Sequence, residues 1–219
     1  MPGAVVFLVF LSSAFAGGMA GVDVAPVGRT DLVAVDEGRT TGLGVGEADG
    51  LLRPPVTAWA GVAGDHVGWL FGFAMASRRT RTWTPDPAGG DDLVTNRRVT
   101  TLRPSADVRW YPQGRSGPAL QPWAGIGLHV VAPVVSYTSD AWTPKEQAAW
   151  QDVADEDRAR LFGLGGRVGG GCEYRFDAGV RMGARYDLGV HRAQVVDRAV
   201  VAATTLGHTT GQLTLAFDL

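Results

Sequence analysis

Apolar and polar positions alternate one by one through the second half of the chain, the period of a strand and not the period of about 3.6 of a helix. In residues 161–176 one face carries Phe162, Leu164, Val168, Cys172, Tyr174 and Phe176. The opposite face carries Gly163, Gly165, Arg167, Gly169, Gly171, Glu173 and Arg175. After a short Asp177-Ala178 turn the pattern resumes, with Val180, Met182, Ala184, Tyr186, Leu188 and Val190 opposite Arg181, Gly183, Arg185, Asp187, Gly189 and His191. The same alternation runs through 55–64, 67–83, 103–111, 122–130 and 211–219, and a first strand falls within 18–36.

The connections between these segments sort into two kinds. Short ones fall at Asp65-His66, at 112–119 and at Asp177-Ala178; long ones fall at 37–53, 84–96, 138–159 and 193–206. Long and short alternate, which predicts an all-β fold: a closed antiparallel eight-stranded transmembrane β-barrel with short periplasmic turns and longer outer loops. Each strand reaches the roughly 9–11 residues that a tilted strand needs to cross a bilayer. Trp69, Trp110, Trp123, Tyr174 and Phe217 fall near one set of strand ends and Trp83 near the other, the positions of an aromatic girdle. Trp59, Tyr111 and Phe176 add to the first set, Tyr137 and Phe162 to the second. Pro104 and Pro133 lie within strand patterns, where bulges or strand ends above the membrane are expected.

Alternation does not say which face is inside, but composition does. The chain has 31 glycines in 219 residues, many of them within the periodic segments. Glycine in mid-strand on a solvated face weakens the strand for no return. Inside an eight-stranded barrel there is little room, so long side chains must alternate with residues that have none. The polar face is therefore the lumen, a filled network of Asp107, Arg109, Arg167, Glu173, Arg175, Arg181, Arg185 and Asp187, with Asp218 also in reach. Charges there require partners.

Residues 1–16 read as a secretory signal, with an apolar core at Val5–Leu11 and an Ala14-Phe15-Ala16 cleavage pattern, leaving 17–219 as the barrel. A net charge of -2 and a pI near 6.1 lack the basic stripe that a nucleic-acid partner requires. Cys172 stands alone, so no disulfide forms within the chain.

The segments 120–130 (LQPWAGIGLHV), 163–176 (GLGGRVGGGCEYRF) and 179–188 (GVRMGARYDL) together resemble the small outer-membrane barrels of the OmpA/OmpX type. That resemblance implies the outer membrane of a Gram-negative bacterium, contact with its lipid, and insertion by the barrel-assembly machinery, which reads the last strand. The chain departs from the pattern in ending on Leu219, with Phe217 two positions earlier on the same face.

Candidate chemistry is sparse. The glycines at 163–171 are followed by more period-two alternation and open no helix, so they do not form a dinucleotide cradle. His129, His191 and His208 form no close ligand pair, and no spacing ties Ser136 or Ser139 to a histidine and an acid. No cofactor, metal site or catalytic residue is expected, and the leading reading is a non-enzymatic barrel in envelope structure or surface interaction. A narrow pore, a lipid-modifying barrel and a soluble ligand-binding barrel are the rivals. Thr143-Pro144-Lys145-Glu146 is a capping box, which predicts a short helix in loop 138–159 carrying Trp150, either a partner-binding element or a solvated cap. Arg78, Arg79, Arg81, Arg97 and Arg98 gather near the outer rim, where they suit either lipopolysaccharide phosphates or plain surface charge.

Overall fold

The computed structural model describes residues 18–35, 56–84, 93–139, 141–176, 179–197 and 200–219. Eight strands follow in order: β1 (Gly18–Val35), β2 (Val56–Ala63), β3 (Val67–Thr84), β4 (Leu93–Trp110), β5 (Leu120–Thr138), β6 (Gly163–Arg175), β7 (Val180–Asp197) and β8 (Val200–Asp218). A helix, α1 (Pro144–Leu161), stands between β5 and β6. Each strand pairs antiparallel with the next, and β8 returns to β1 to close the barrel. The chain's last strand meets its first at the short-turn rim, where the Leu219 N–H donates to the Gly18 carbonyl at 2.9 Å.

Of the two outcomes expected at Pro104 and Pro133, bulges or strand ends above the membrane, the bulge occurs at neither. Pro104 pairs with Phe73 of β3, and the β4–β5 ladder omits Arg103 and Pro104 yet resumes in the same register. Pro133 pairs with Thr101 on one side and lies beyond the last β5–β6 pair, Val131↔Gly163, on the other. A residue with no N–H is accommodated where one ladder is interrupted or absent. The register does shift in the β1–β8 pair, between Val24 and Val27, where Ala25 and Pro26 lie, and again between Leu32 and Ala34.

Two of the long connections are shorter than expected. Strands continue to Thr84 and restart at Leu93, and β7 runs to Asp197 with β8 restarting at Val200. The segment 193–206, read as a loop, is thus mostly paired strand, as in Val196↔Val201. Its alternation is blurred by small residues, Ala202, Ala203, Thr204 and Thr205, which hides the strand from a hydrophobic pattern. The signal segment 1–16, loop 37–53 and the Asp177-Ala178 turn lie outside the described residues.

Strand parity separates the two faces. Trp69, Phe71, Phe73 and Met75 of β3, Ile126 and Leu128 of β5, and Met182, Tyr186 and Leu188 of β7 are exposed on the outside. The intervening residues are mostly buried. In three rows across β4–β7 a glycine stands between two long inward side chains on its neighbouring strands. Gly127 pairs with Asp107 on one side and Arg167 on the other. Gly171 sits between Trp123 and Arg185, and Gly165 between His129 and His191. Side chains two strands apart meet over the bare backbone of the middle one. A Cβ on Gly127 would overlap the Asp107 carboxylate and press on Arg167 Nε, and one on Gly165 would overlap the His129 ring.

Gly127→Ala is expected to lower the urea midpoint of the reconstituted barrel, at a cost of about 1–3 kcal/mol. Gly166→Ala, whose new methyl would meet only ordinary contacts at 3.8 Å, should leave that midpoint nearly unchanged. Equal effects from both would remove the close-approach argument.

Candidate functional site, the charged lumen and the capped outer mouth

The lumen is filled by ion pairs arranged in tiers. Nearest the short-turn rim, Arg181 Nε donates to both Asp218 oxygens at 3.0 Å and its NH1 donates to Gln121 Oε1. Arg115 adds a second cation to Asp218 at 2.5 Å. Above them Arg109, 1% exposed, donates to Glu173 Oε1 at 2.7 Å. Its guanidinium lies 4.9 Å from the Trp59 ring centre and 4.2 Å from that of Trp123. Arg185 donates to Asp23 Oδ2 at 3.0 Å and pairs with Asp187 at 2.6 Å, and Asp23 also accepts from the Thr214 hydroxyl at 2.7 Å. Arg167 forks onto Asp107, with Nε to Oδ1 at 2.7 Å and NH2 to Oδ2. Arg103 is buried near this pair. The gap bordered by Asp107, Arg109, Arg167, Arg185 and Asp187 measures about 10 Å³, the volume associated with a single water.

Charge balance makes this packing tenable. Among the described residues, Arg103, Arg109, Arg167, Arg181 and Arg185 stand against Asp23, Asp107, Glu173, Asp187 and Asp218, five of each, with Arg115 a further cation at the rim. An isolated ion in such a place would cost several kcal/mol. Stacking on indole faces adds favourable energy to a desolvated guanidinium, about 2 kcal/mol.

Four of the sequence-derived placements are corrected. Trp123 does not join the outer girdle: it faces inward, 5% exposed, beneath Arg109 and Arg185. It has the inward parity of Gln121, Gly125 and Gly127, and an indole face there meets cations instead of lipid. Trp59 and Tyr111 are buried too. Arg175 is a rim residue, donating to the Arg115 carbonyl at 2.7 Å and the Gly117 carbonyl at 3.2 Å, so it staples the β4–β5 turn and meets no carboxylate among the described residues. Trp69, Trp83, Trp110, Tyr174 and Phe217 all lie exposed on the outer wall. Asp23 and Gln121 were missed as lumen residues, whereas His129 and His191 were read on the inward face but not as a stacked pair; the period-two run Gly21-Val22-Asp23-Val24 carried the signal for Asp23.

The short-turn rim is tied by Asp65. Its Oδ1 accepts from the Ser116 N–H at 2.8 Å and the Ser116 hydroxyl at 2.6 Å, bonds that hold the carboxyl below the usual carboxylate range. Gly114, at φ +72°, makes the turn that presents Ser116.

The opposite mouth is occupied by α1. Thr143 and Glu146 form the reciprocal capping box, with the Thr143 N–H donating to Glu146 Oε2 at 2.8 Å and the Glu146 N–H to Thr143 Oγ1 at 3.4 Å. β6 begins late, so the ends of β5 and β7 rise past it with no strand between them, and α1 packs against both. Asp157 fastens the helix, accepting from Arg97 at 2.8 and 3.1 Å and from the Tyr137 hydroxyl at 2.6 Å. Ala154 seats against Val99 and Val135, and Trp150 stacks between Tyr137 and Trp142. Below the helix His129 and His191 lie ring on ring, 5.8 Å between centres. Ser136 has outward parity, so no serine–histidine–acid set is assembled from it. No group of three or more potential metal ligands occurs among the described residues.

Three measurements test this arrangement. Glu173→Ala, which strands the Arg109 charge, should lower stability by about 3–5 kcal/mol, whereas Arg109→Met with Glu173→Leu together should recover most of the loss in urea titrations. Asp157→Ala should raise amide exchange across 144–161 while leaving the strands protected. The Glu146 carboxyl is held below its usual value by the Thr143 backbone N–H and then by its hydroxyl. A depressed folded-state value means the cap contributes above the unfolded pKa, about 4.3, and is lost as pH falls through the lowered value. Rate-corrected exchange of 144–148 should rise in that acid window for the natural chain and show no such step in Glu146→Gln.

Neither family models nor curated proteins give a sequence match. Among solved structures the chain aligns with Neisserial surface protein A (NspA) at a TM-score of 0.53 and 11% identity, over 93% of this chain and 98% of that one. It aligns with the outer membrane protein OprG from Pseudomonas aeruginosa at a TM-score of 0.37 and 13% identity, over 93% and 97%. The outer membrane enzyme PagL also matches, at a TM-score of 0.29 and 12% identity over 74% of this chain and 98% of PagL. The expectation of a chain without enzymatic activity is withdrawn, since barrel architecture alone does not decide activity. At these identities the likeness is one of fold: the chain has the closed eight-stranded antiparallel barrel of the small outer-membrane barrels.

Proposed function

We propose that this chain is an integral outer-membrane protein whose filled barrel serves envelope structure or surface interaction, with residues 1–16 as its export signal. One observation carries the reading: large apolar side chains are exposed around the outer wall while ion pairs fill the inside. Water on that wall would leave Phe71, Leu128, Leu164, Met182 and Leu188 solvated as a continuous apolar belt, which a monomeric soluble protein rarely tolerates. Hydrocarbon on that wall removes the cost, and the closed ladder leaves no strand edge to satisfy. The short turns then face the periplasm, and α1 with the 138–159 segment faces outward, available to a partner.

The membrane fraction should retain the protein through carbonate wash, and unheated samples should migrate faster than boiled ones on gels. Release into the aqueous fraction would end the proposal. Planar bilayers holding the folded protein should stay silent, because Arg109, Arg167 and Arg185 with their partners fill the bore. Steady single-channel steps would overturn the filled-lumen reading.

A further inference from the structure

The five outer-rim arginines of β3 and β4 do not share one fate. Arg97 points inward and holds Asp157 of α1, and Arg78 has the inward parity of Ala74 and Ala76. Arg79, Arg81 and Arg98 have outward parity, on the same wall as the apolar belt. Their register is tight: Arg79 pairs directly with Arg98, and Arg81 with Asn96. Like charges directly opposite one another across two strands destabilise the pair unless an anion lies between them.

We infer that Arg79, Arg81 and Arg98 form a binding site for the phosphorylated headgroup of an outer-leaflet lipid; this rests on the outer-membrane reading above. Height along the wall supports it. Val67, Trp69, Phe71, Phe73 and Met75 form the apolar stripe of β3, followed outward by Ser77, Arg79, Arg81 and Trp83. With about 3.3 Å per residue and a tilt of about 40°, Arg79 stands about 30 Å above Val67, just past an apolar band about 25 Å tall. That is the level of headgroup phosphates. Charge complementarity is one-sided there. The outward residues around the three arginines are Ser77, Asn96, Thr100, Val134, Ser136 and Thr138, with no carboxylate among the described positions. The cations are also oriented: Arg79 NH2 donates to Asn96 Oδ1 at 3.0 Å, and Arg81 lies 5.1 Å from the Trp83 ring centre. Two guanidinium forks a strand apart suit a phosphate, which accepts paired N–H bonds.

The test is native mass spectrometry of the full folded chain, in detergent containing equal amounts of lipid A and phosphatidylcholine. The natural chain should retain lipid A over phosphatidylcholine, and dephosphorylated lipid A should lose that preference. R79A/R81A/R98A should reduce lipid A retention about tenfold, the effect of about 1.4 kcal/mol, while still showing heat-modifiable mobility. The lysine triple should fall between, keeping charge without the fork. Should the alanine triple fail to close, the comparison of phosphorylated with dephosphorylated lipid on the natural chain decides alone. Equal retention of both lipid A forms overturns the site, as does lipid A displaced by millimolar inorganic phosphate, which would mark a free-anion site. A chain that holds no lipid of any class sinks the outer-membrane reading with it, whereas one that holds all lipids equally sinks the phosphate site alone.

Discussion

Lack of room inside eight strands is the constraint on which the rest of this molecule depends. A bore that narrow admits long side chains only where the neighbouring strand contributes none. Gly127, Gly165 and Gly171 supply those gaps, and through them Arg167 reaches Asp107, His191 reaches His129 and Arg185 reaches Trp123. The glycines and the charges are therefore one feature. Either alone would destabilise the barrel, through weak strands in one case and unpaired ions in the other.

The same accounting explains why the wall can be so apolar. With the bore closed by paired ions, the outward residues are free to be chosen for lipid, and Phe71, Ile126, Leu164 and Met182 meet no competing demand. At the two ends that freedom stops. The short-turn rim is stapled by Asp65, Arg115 and Arg175 onto backbone and side chains of neighbouring turns. The other mouth uses a helix where β6 starts late, and fastens it through Asp157, with Arg158 donating to the Val135 carbonyl.

Strand order, closure and the inner face were legible from the chain, because period-two alternation survives wherever large and small residues take turns. The segment 193–206 was not, since Ala202, Ala203 and Thr204 give no hydrophobic contrast between faces. The charged residues were legible as a set, but not as partners. Arg167 meets Asp107 across an intervening strand, a relation that depends on two registers at once. Trp123 was misplaced because an aromatic near a strand end has two good environments, a lipid interface and a buried cation, and only parity with Gln121 and Gly125 chooses between them. The helix was found because its capping box is local chemistry, whereas its anchor Asp157 depends on Arg97 and Tyr137, which only the folded barrel brings near.

The seam strands each deliver an anion to the interior. Asp23 comes from β1 and Asp218 from β8, and their cations, Arg185 and Arg181, sit on β7. Asp218 can meet Arg181 within the β7–β8 hairpin, but Asp23 reaches Arg185 only when β1 closes on β8. Before closure, among the described residues, Asp23 has no cation and Arg185 has Asp187 alone. One ion pair of the lumen thus forms only on completion, so an unsealed copy is penalised by its own electrostatics.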